Sequence, residues 1–513
     1  MRRDISRLAD TTFDLLIVGA GMYGACAAWD AALRGLTVAV VDQGDFGAGT
    51  SANSLRIVHG GLRYLARGRF SRMLESIRER STLLRIAPGL VEPVRVLVPT
   101  YGAAGRGRIA HAAALVLNDL VSWNRNRHLD QDREIPRGRV VSRGECLRLF
   151  PWFEPKGLSG GAIWHDAQLR HPERLTLSFV RAAASNGALP ANYLRVKGLL
   201  TQGGAARGAR AIDSLTGTEL EIRARSVLVA AGPWTQDLVA TGTRAAALES
   251  PPHAMGLNLV IGRKLAEVAF GVRSRSGTRE DPVCGGHRFL FCAPQGTGTV
   301  LGTWYAPDQG DPRATRDRGV LALLGEFNDA CPGLELSPSD VVRCQWGWLP
   351  LKGGKEPGRP DALAERPRII DYGGQGVRHL LSVEGVKFTT ARLVAEQAVD
   401  RVFASLERTS PACRTAELRL PGAEGRGARD AEAVPAREEI VRAVRDEMAV
   451  TLTDIVFRRT ALGAVPGPER ATVEGAARIA GAELGWDGLR QEAEIDAVFR
   501  DVAVPGLALE AVG

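Results

Sequence analysis

The chain is expected to be an α/β protein built on a parallel sheet, with a separate helical part at its end. Three observations predict this. A short apolar run, FDLLIV (13–18), stops at Gly19-Ala20-Gly21-Met22-Tyr23-Gly24, and a small-residue helix pattern and a second apolar run ending at Asp42 follow. Further apolar runs then alternate with helical stretches as far as residue 404. After a Pro/Gly/Arg/Glu-rich stretch at 421–436 the periodicity is helical to Gly513.

Residues 13–18 read as a buried strand, a short apolar run ended by glycine. Residues 22–34 read as a helix whose Ala25, Ala27, Ala28, Ala31 and Ala32 allow close packing on a sheet. Residues 37–41 read as a second buried strand, so the three form a Rossmann-like βαβ unit. In such a unit Gly19 makes the tight turn, Gly21 admits a pyrophosphate and Gly24 packs helix on strand. The helix start offers amides and partial positive charge to phosphates. Asp42, 18 positions after Gly24, would accept hydrogen bonds from ribose hydroxyls and disfavour a 2′-phosphate. A bound nucleotide follows from this register, but the motif does not separate FAD from NAD. Further helices are expected at 69–86, 108–123, 171–186 and 389–404, the third opening at Pro172. Further strands are expected at 226–231, 340–349 and 378–384.

At 513 residues the chain exceeds the usual size of one core, so two or three domains are expected. Apolar content of 45% and charged content of 24% fit a soluble globular protein. No run reaches the roughly 18 apolar residues of a membrane-spanning helix. The opening Arg2, Arg3 and Arg7 are interrupted by Asp4 and Asp10, and the first apolar run leads into the glycine motif, so it reads as a strand rather than a signal peptide. The seven cysteines are scattered without a C-x-x-C pair, which argues for reduced thiols, a cytoplasmic setting and no metal site. A formal charge of +8 favours anionic substrates, cofactor phosphates or an acidic membrane surface. No recognition motif points to nucleic acid, and none is expected as a partner.

The segment GAGTSANSLRIVHGGLRYL (47–65) is too polar for a core and directly follows the ribose acid, so it would run under the cofactor. Adjacent Gly60 and Gly61 let backbone approach a flat ring, and His59 and Arg63 flank them. This is the pattern of a flavin enzyme with an anionic or polar substrate. In these residues the chain closely resembles the FAD-dependent glycerol-3-phosphate dehydrogenases. The matching text is FDLLIVGAGMYGACAAWDAALRGLTVAVVD, TSANSLRIVHGGLRYL, ERSTLLRIAPGLVEP, AAGPW (230–234), GVKFTTAR (385–392) and DIVFRRTALG (454–463). The resemblance thus covers nearly the whole chain.

The resemblance implies FAD as cofactor, with contacts at Gly19, Gly21, Gly24, Asp42, Gln43, Thr50, Ser51, His59, Gly60, Gly61, Val196, Gly232, Lys387 and Thr389. Thr389 and Thr390 open a helix, so their amides can face the flavin's pyrimidine carbonyls. Lys387 would bring positive charge there or reach substrate; the alternative is a solvated lysine before a helix. Arg63 matches an arginine that reaches the substrate's anionic end; the alternative is a structural ion pair. His59 is a flavin neighbour, a general base or a packed histidine. Tyr64 reads as packing.

The departures from the family pattern concern the substrate. Leu349 stands where an arginine precedes Pro-Leu, Ile370 where a second arginine precedes an aspartate, Asn258 where a histidine acts, and Arg56 where a lysine precedes His-Gly-Gly. Charge-assisted hydrogen bonds contribute roughly 1.5–3 kcal/mol each, so two lost arginines would weaken phosphate binding by about two to four orders of magnitude. Arg368, Arg343 or Lys352 would have to compensate. Trp346 and Trp348 share one strand face, as pocket or, more often, as core. The basic segment 104–148 holds nine arginines against five acids around the 108–123 helix. It reads as a membrane-interfacial helix, with Trp123 beside Arg125 and Arg127, or as a solvated basic face.

The expectation is therefore an FAD-binding α/β domain interleaved with an antiparallel-sheet substrate domain, then a helical C-terminal domain. The oxidoreductase part would cover 1–420, with FAD-binding segments near 12–85, 165–245 and 365–410 and substrate-binding segments near 86–160 and 250–350. A linker would span 421–436 and the helical domain 437–513. The implied reaction oxidises a C–OH carbon by hydride transfer to flavin N5, as in sn-glycerol 3-phosphate to dihydroxyacetone phosphate, with His59, Arg63, Lys387 and Asn258 as catalytic candidates. The main alternative is oxidation of a non-phosphorylated alcohol or amine. A flavin monooxygenase would need a nicotinamide site, and no second GxGxxG is present; a non-catalytic flavin-binding protein is the remaining alternative. Quinone or oxygen is the expected electron acceptor, and a homodimer and a peripheral contact with the inner face of the cytoplasmic membrane stay open.

Overall fold

The computed structural model describes every residue except 66–67, 103–105, 243–250, 276–287, 353–362, 424–436, 465–466 and 503–513. Most of the expected linker thus lies outside the described residues, as does the Arg63 side chain.

Five strands form the parallel part of one sheet, in the spatial order Leu380–Glu384, Glu219–Val229, Thr12–Val18, Val38–Val41, Leu189–Ala191. Their apolar runs are buried on both faces, as a parallel sheet requires. Arg368–Asp371 adds an antiparallel edge, and Leu194–Gln202 and Ala205–Asp213 form a meander against the outer half of Glu219–Val229. Helices Met22–Leu33, Pro172–Ser185 and Ala391–Ser405 pack together in the core cluster that covers one face. The alanines of the first helix make that approach possible, since Ala25, Ala27, Ala28 and Ala31 are all buried.

The second sheet has nine strands. Its order is Val341–Pro350, His253–Ile261, Gly298–Pro307, Phe289–Gln295, Ala269–Arg273, Val91–Tyr101, Leu158–Leu169, Ile57–Val58, with Arg139–Ser142 beside Leu158–Leu169. All pairings are antiparallel except Ala269–Arg273 with Val91–Tyr101. The two sheets take their strands alternately along the chain, which is the interleaving expected.

Helices Arg437–Glu447, Arg470–Leu484 and Gly488–Val502 surround a core of their own, centred on Leu452, Ile455, Val456, Val473 and Val498. A π-helical turn, Ile455–Arg459, faces the first sheet's domain. The helix at Arg106–Val121 turns an apolar rather than a basic face outward, with Ile109 69%, Val116 61%, Leu120 65% and, just beyond it, Trp123 80% exposed. The reading of a solvated basic face over a buried helix is corrected accordingly. Among the described residues, no helix is long and apolar enough to cross a membrane.

Candidate active site

A cavity of about 1400 Å3 opens along the ends of the parallel strands and passes under the second sheet. Its wall carries Gly19, Gly21, Asp42, Gln43, Thr50, Ser51, His59, Gly61, Val196, Gly232, Asn258, Lys387 and Thr389. These candidates lie far apart in sequence, and the fold gathers them on one surface. Gly24 and Gly60 stand behind that wall, Gly24 against the Gly19 carbonyl and Gly60 against Arg80.

At the nucleotide end, Gly19 has φ +101°, and a Cβ there would lie 2.4 Å from the Ala230 carbonyl oxygen. Only glycine joins the two parallel strand ends so closely. The helix that follows has no side-chain cap of its own residues; Ser51 accepts the Met22 N–H at 3.0 Å. Asp42 accepts from the Ala20 amide at 2.7 Å and the Gly44 amide at 3.0 Å. Burial raises its pKa to about 6 against those two bonds, with Asp45 pushing the same way. A glycine turn at a helix start beside a recessed acid suits a pyrophosphate and a ribose, so the residues present fit an FAD.

The ring end is built by long-range contacts. The Gly60 amide donates to Asp166 at 2.5 Å, and Asp166 also accepts from Arg80 at 2.7 Å and the Trp164 indole at 2.9 Å. Asp166 therefore fixes the His59-Gly60-Gly61 turn from the neighbouring strand. Tyr23, inside the glycine motif, fixes the late segment. Its hydroxyl donates to the Lys387 carbonyl at 2.7 Å and accepts the Val386 and Lys387 amides at 3.1 and 3.2 Å. The Lys387 ammonium stands 4.3 Å from the centre of the Tyr64 ring, which Arg72 also approaches. Tyr64 is buried, as packing requires, and also lines the cavity.

The second sheet closes the site. Thr50 Oγ1 bonds to the Trp348 carbonyl and amide at 3.3 and 3.2 Å, tying its loop to strand Val341–Pro350. Asn258 donates to the Asn53 carbonyl at 3.0 Å and accepts from Thr303 at 2.8 Å. Its amide is thus a strut between loop and sheet. Leu349 lines the cavity with Trp348, Phe289, Phe291 and Tyr305. Trp346 packs on the core behind, with its ring 6.0 Å from Trp348.

The three compensating cations are placed elsewhere. Arg343 stacks on Phe457 at 4.2 Å, Arg368 pairs with Glu384 at 3.4 Å, and Lys352 faces Glu365 at 3.8 Å. Ile370 packs into the core below the sheet. Among the described residues the Arg and Lys side chains on the wall are Arg195, Arg288 and Lys387, and Arg288 is held by Glu326. Tyr23, Asp166 and Arg288 escaped the sequence reading. Tyr23 had one signal, its place inside the fingerprint; Asp166 and Arg288 had none, because their partners are 106 and 38 positions away.

The comparisons with known proteins agree with this architecture. The chain is 30% identical to the glycerol-3-phosphate dehydrogenase of Synechocystis, over 90% of this chain and 91% of that protein. It is 29% identical to the human mitochondrial glycerol-3-phosphate dehydrogenase over 80% of this chain, which spans 55% of the human protein. The solved structure of the glycerol-3-phosphate dehydrogenase from Bacillus halodurans complexed with FAD shares the fold, with a TM-score of 0.73 at 23% identity, covering 98% of this chain and 96% of that one. The L-alpha-glycerophosphate oxidase of Mycoplasma pneumoniae does so more distantly, with a TM-score of 0.54 at 15% identity over 80% of this chain and 98% of that one. Residues 426–491 match the C-terminal domain of alpha-glycerophosphate oxidase and residues 14–401 the FAD dependent oxidoreductases, so the chain belongs to the FAD-dependent oxidoreductase family.

Proposed function

We propose that this flavoprotein dehydrogenates a C–OH carbon, following the reaction named for its relatives, sn-glycerol 3-phosphate to dihydroxyacetone phosphate. The observation that carries this reading is one continuous cavity, with the dinucleotide-binding turn at one end and His59, Lys387 and the substrate sheet at the other. Bound FAD supplies a two-electron acceptor. His59 would take the hydroxyl proton as the carbon gives up its hydrogen as hydride, for which the bound flavin would be the acceptor. Lys387 provides positive charge at the same end, and the start of helix Ala391–Ser405 adds its amides. Arg63 grips the anionic end of the substrate.

A second reading rests on Trp348, Leu349, Phe289, Phe291 and Tyr305 along the substrate side. That wall favours a non-phosphorylated and more apolar alcohol or amine. Anaerobic bleaching of the flavin decides between them. Rapid bleaching by glycerol 3-phosphate supports the first reading. Bleaching only by non-phosphorylated alcohols or amines replaces it with the second, and bleaching by none sinks both. Arg63→Ala is expected to lower turnover with flavin retained; loss of flavin contradicts its role.

We also propose that the exposed apolar stripe Ile109, Val116, Leu117, Leu120, Trp123 lies on an anionic membrane surface, where quinone accepts the electrons. Arginines of the surrounding segment complement such a surface. Sedimentation with anionic vesicles is expected for the holoenzyme and is expected to be lost in Leu120→Glu. Equal sedimentation of both, or concentration-dependent dimerisation abolished by the same change, overturns it.

A further inference from the structure

Asp45 is a fully buried carboxylate three residues beyond the ribose acid, in the loop that follows strand Val38–Val41. Its partners come from the helical C-terminal part. Arg459 donates to both of its oxygens at 2.7 Å, and Arg458 to one at 2.6 Å. The π-helical turn Ile455–Arg459 is what brings two consecutive arginines to one carboxylate. Arg458 is itself held by Asp454 at 2.5 Å, and Asp454 accepts the Tyr193 hydroxyl at 2.7 Å. Asn192 completes the set, donating to Asp45 at 3.0 Å and to the Met448 carbonyl at 2.8 Å.

These bonds bear on the cofactor wall because the same short segments hold Asp42. The Asp42 amide donates to Ala191, the Leu194 amide to Asp42 and the Tyr193 amide to Gly44, at 3.0, 2.7 and 3.0 Å. Gly44 in turn donates to the Asp42 carboxylate. Asn192 and Tyr193, clamped by the C-terminal residues, therefore sit between the two strand ends that present Asp42. Removing the partners of a buried carboxylate leaves an uncompensated charge and is strongly destabilising, here in the loop that also presents Asp42.

We propose that Asp45, Arg458 and Arg459 are positioning residues for the adenosine half of FAD, which makes the C-terminal helical part a component of the cofactor site. The proposal rests on the flavin reading of the cavity. It gives the DIVFRR segment a role that its helical packing alone does not require.

The test uses the full-length holoenzyme and follows FAD release on dilution by the rise in flavin fluorescence. Asp45→Asn and Arg459→Ala are expected to speed release on the order of tenfold, the low end of what losing an outer supporting partner costs a bound metal. The double variant is expected to be no faster than the worse single one, because the two act as a unit. Arg459→Lys, which keeps the charge but not the fork, is expected to fall between, and serves if the alanine variant does not fold. Arg445→Ala removes an arginine of the same helical part, paired with Glu483 at 2.6 Å on the surface, and is expected to change nothing. Substrate KM of molecules retaining flavin is expected to move less than twofold. Release within twofold of the parent protein in Asp45→Asn and Arg459→Lys, or equal acceleration by Arg445→Ala, overturns the proposal. A parent protein that binds no FAD instead overturns the flavin reading itself.

Discussion

The Asp42 carboxylate is asked to stay ionised in a recess that opposes charge. Burial raises its pKa to about 6, and the Ala20 and Gly44 amides only partly offset this. Its ionised form, the one suited to accept ribose hydroxyls, is present above that pH and is lost as pH falls through it. FAD affinity is therefore expected to weaken as pH drops from 8 to 5. Asp42→Asn is expected to bind FAD about tenfold to a hundredfold more weakly at pH 8, on the basis of roughly 1.5–3 kcal/mol for a charge-assisted bond. The same variant is expected to lose most of the pH dependence. Titration of the deflavinated protein by fluorescence reads both effects, and a variant with an unchanged slope would show that another group titrates.

Two distant segments, the glycine motif and the stretch Gly385–Lys387, meet through one side chain. A Cβ on Gly385 would lie 2.1 Å from the Tyr23 ring. Gly385→Ala is therefore expected to push the ring away and break the three hydrogen bonds of its hydroxyl. Tyr23→Phe removes those bonds without moving the ring, and a buried amide left unpaired costs about 1–3 kcal/mol. Both variants are expected to lose flavin, with the larger fall in Tm for Gly385→Ala; equal Tm values would refute the steric account. The sequence reading located both segments, because each carries a local signal of glycines or a helix start. It could not join them, since nothing local in Tyr23 announces a partner 364 positions away. The same limit applies to the second sheet. Strand Val341–Pro350 was expected at 340–349, but Leu158–Leu169, with its two glycines and its polar His165 and Asp166, was not. That strand supplies Asp166, so a strand left unread in the sequence holds the His59-Gly60-Gly61 turn.

The surplus of arginine acquires a different meaning across the whole molecule. Part of it is internal: Arg34 pairs with Asp30, Arg80 with Asp166, Arg392 with Glu79 and Arg459 with Asp45, every side chain at most 7% exposed. Each of these pairs is neutral, so the net charge of +8 stays with the groups left nearer the surface. Burial and neighbouring guanidiniums together act on the histidines. Burial first, then Arg56, Arg170 and Arg174, lower the pKa of His171 to about 3, and burial with Arg95 lowers His165 to about 4. Both stay neutral in the fold, whereas in the unfolded chain they titrate near 6.5. As pH falls below about 6.5 the unfolded chain takes up protons that the folded one refuses, so stability falls, and continues to fall until the folded values are reached. Between pH 7.5 and 5.5 His171 alone accounts for a loss on the order of 1 kcal/mol. His171 is the N-cap residue of helix Pro172–Ser185, and asparagine serves that position well without titrating. His171→Asn at saturating FAD is therefore expected to shrink the Tm difference between the two pH values by roughly 1–3 °C. A variant whose Tm falls between them as far as the parent's would place the acid sensitivity in other groups.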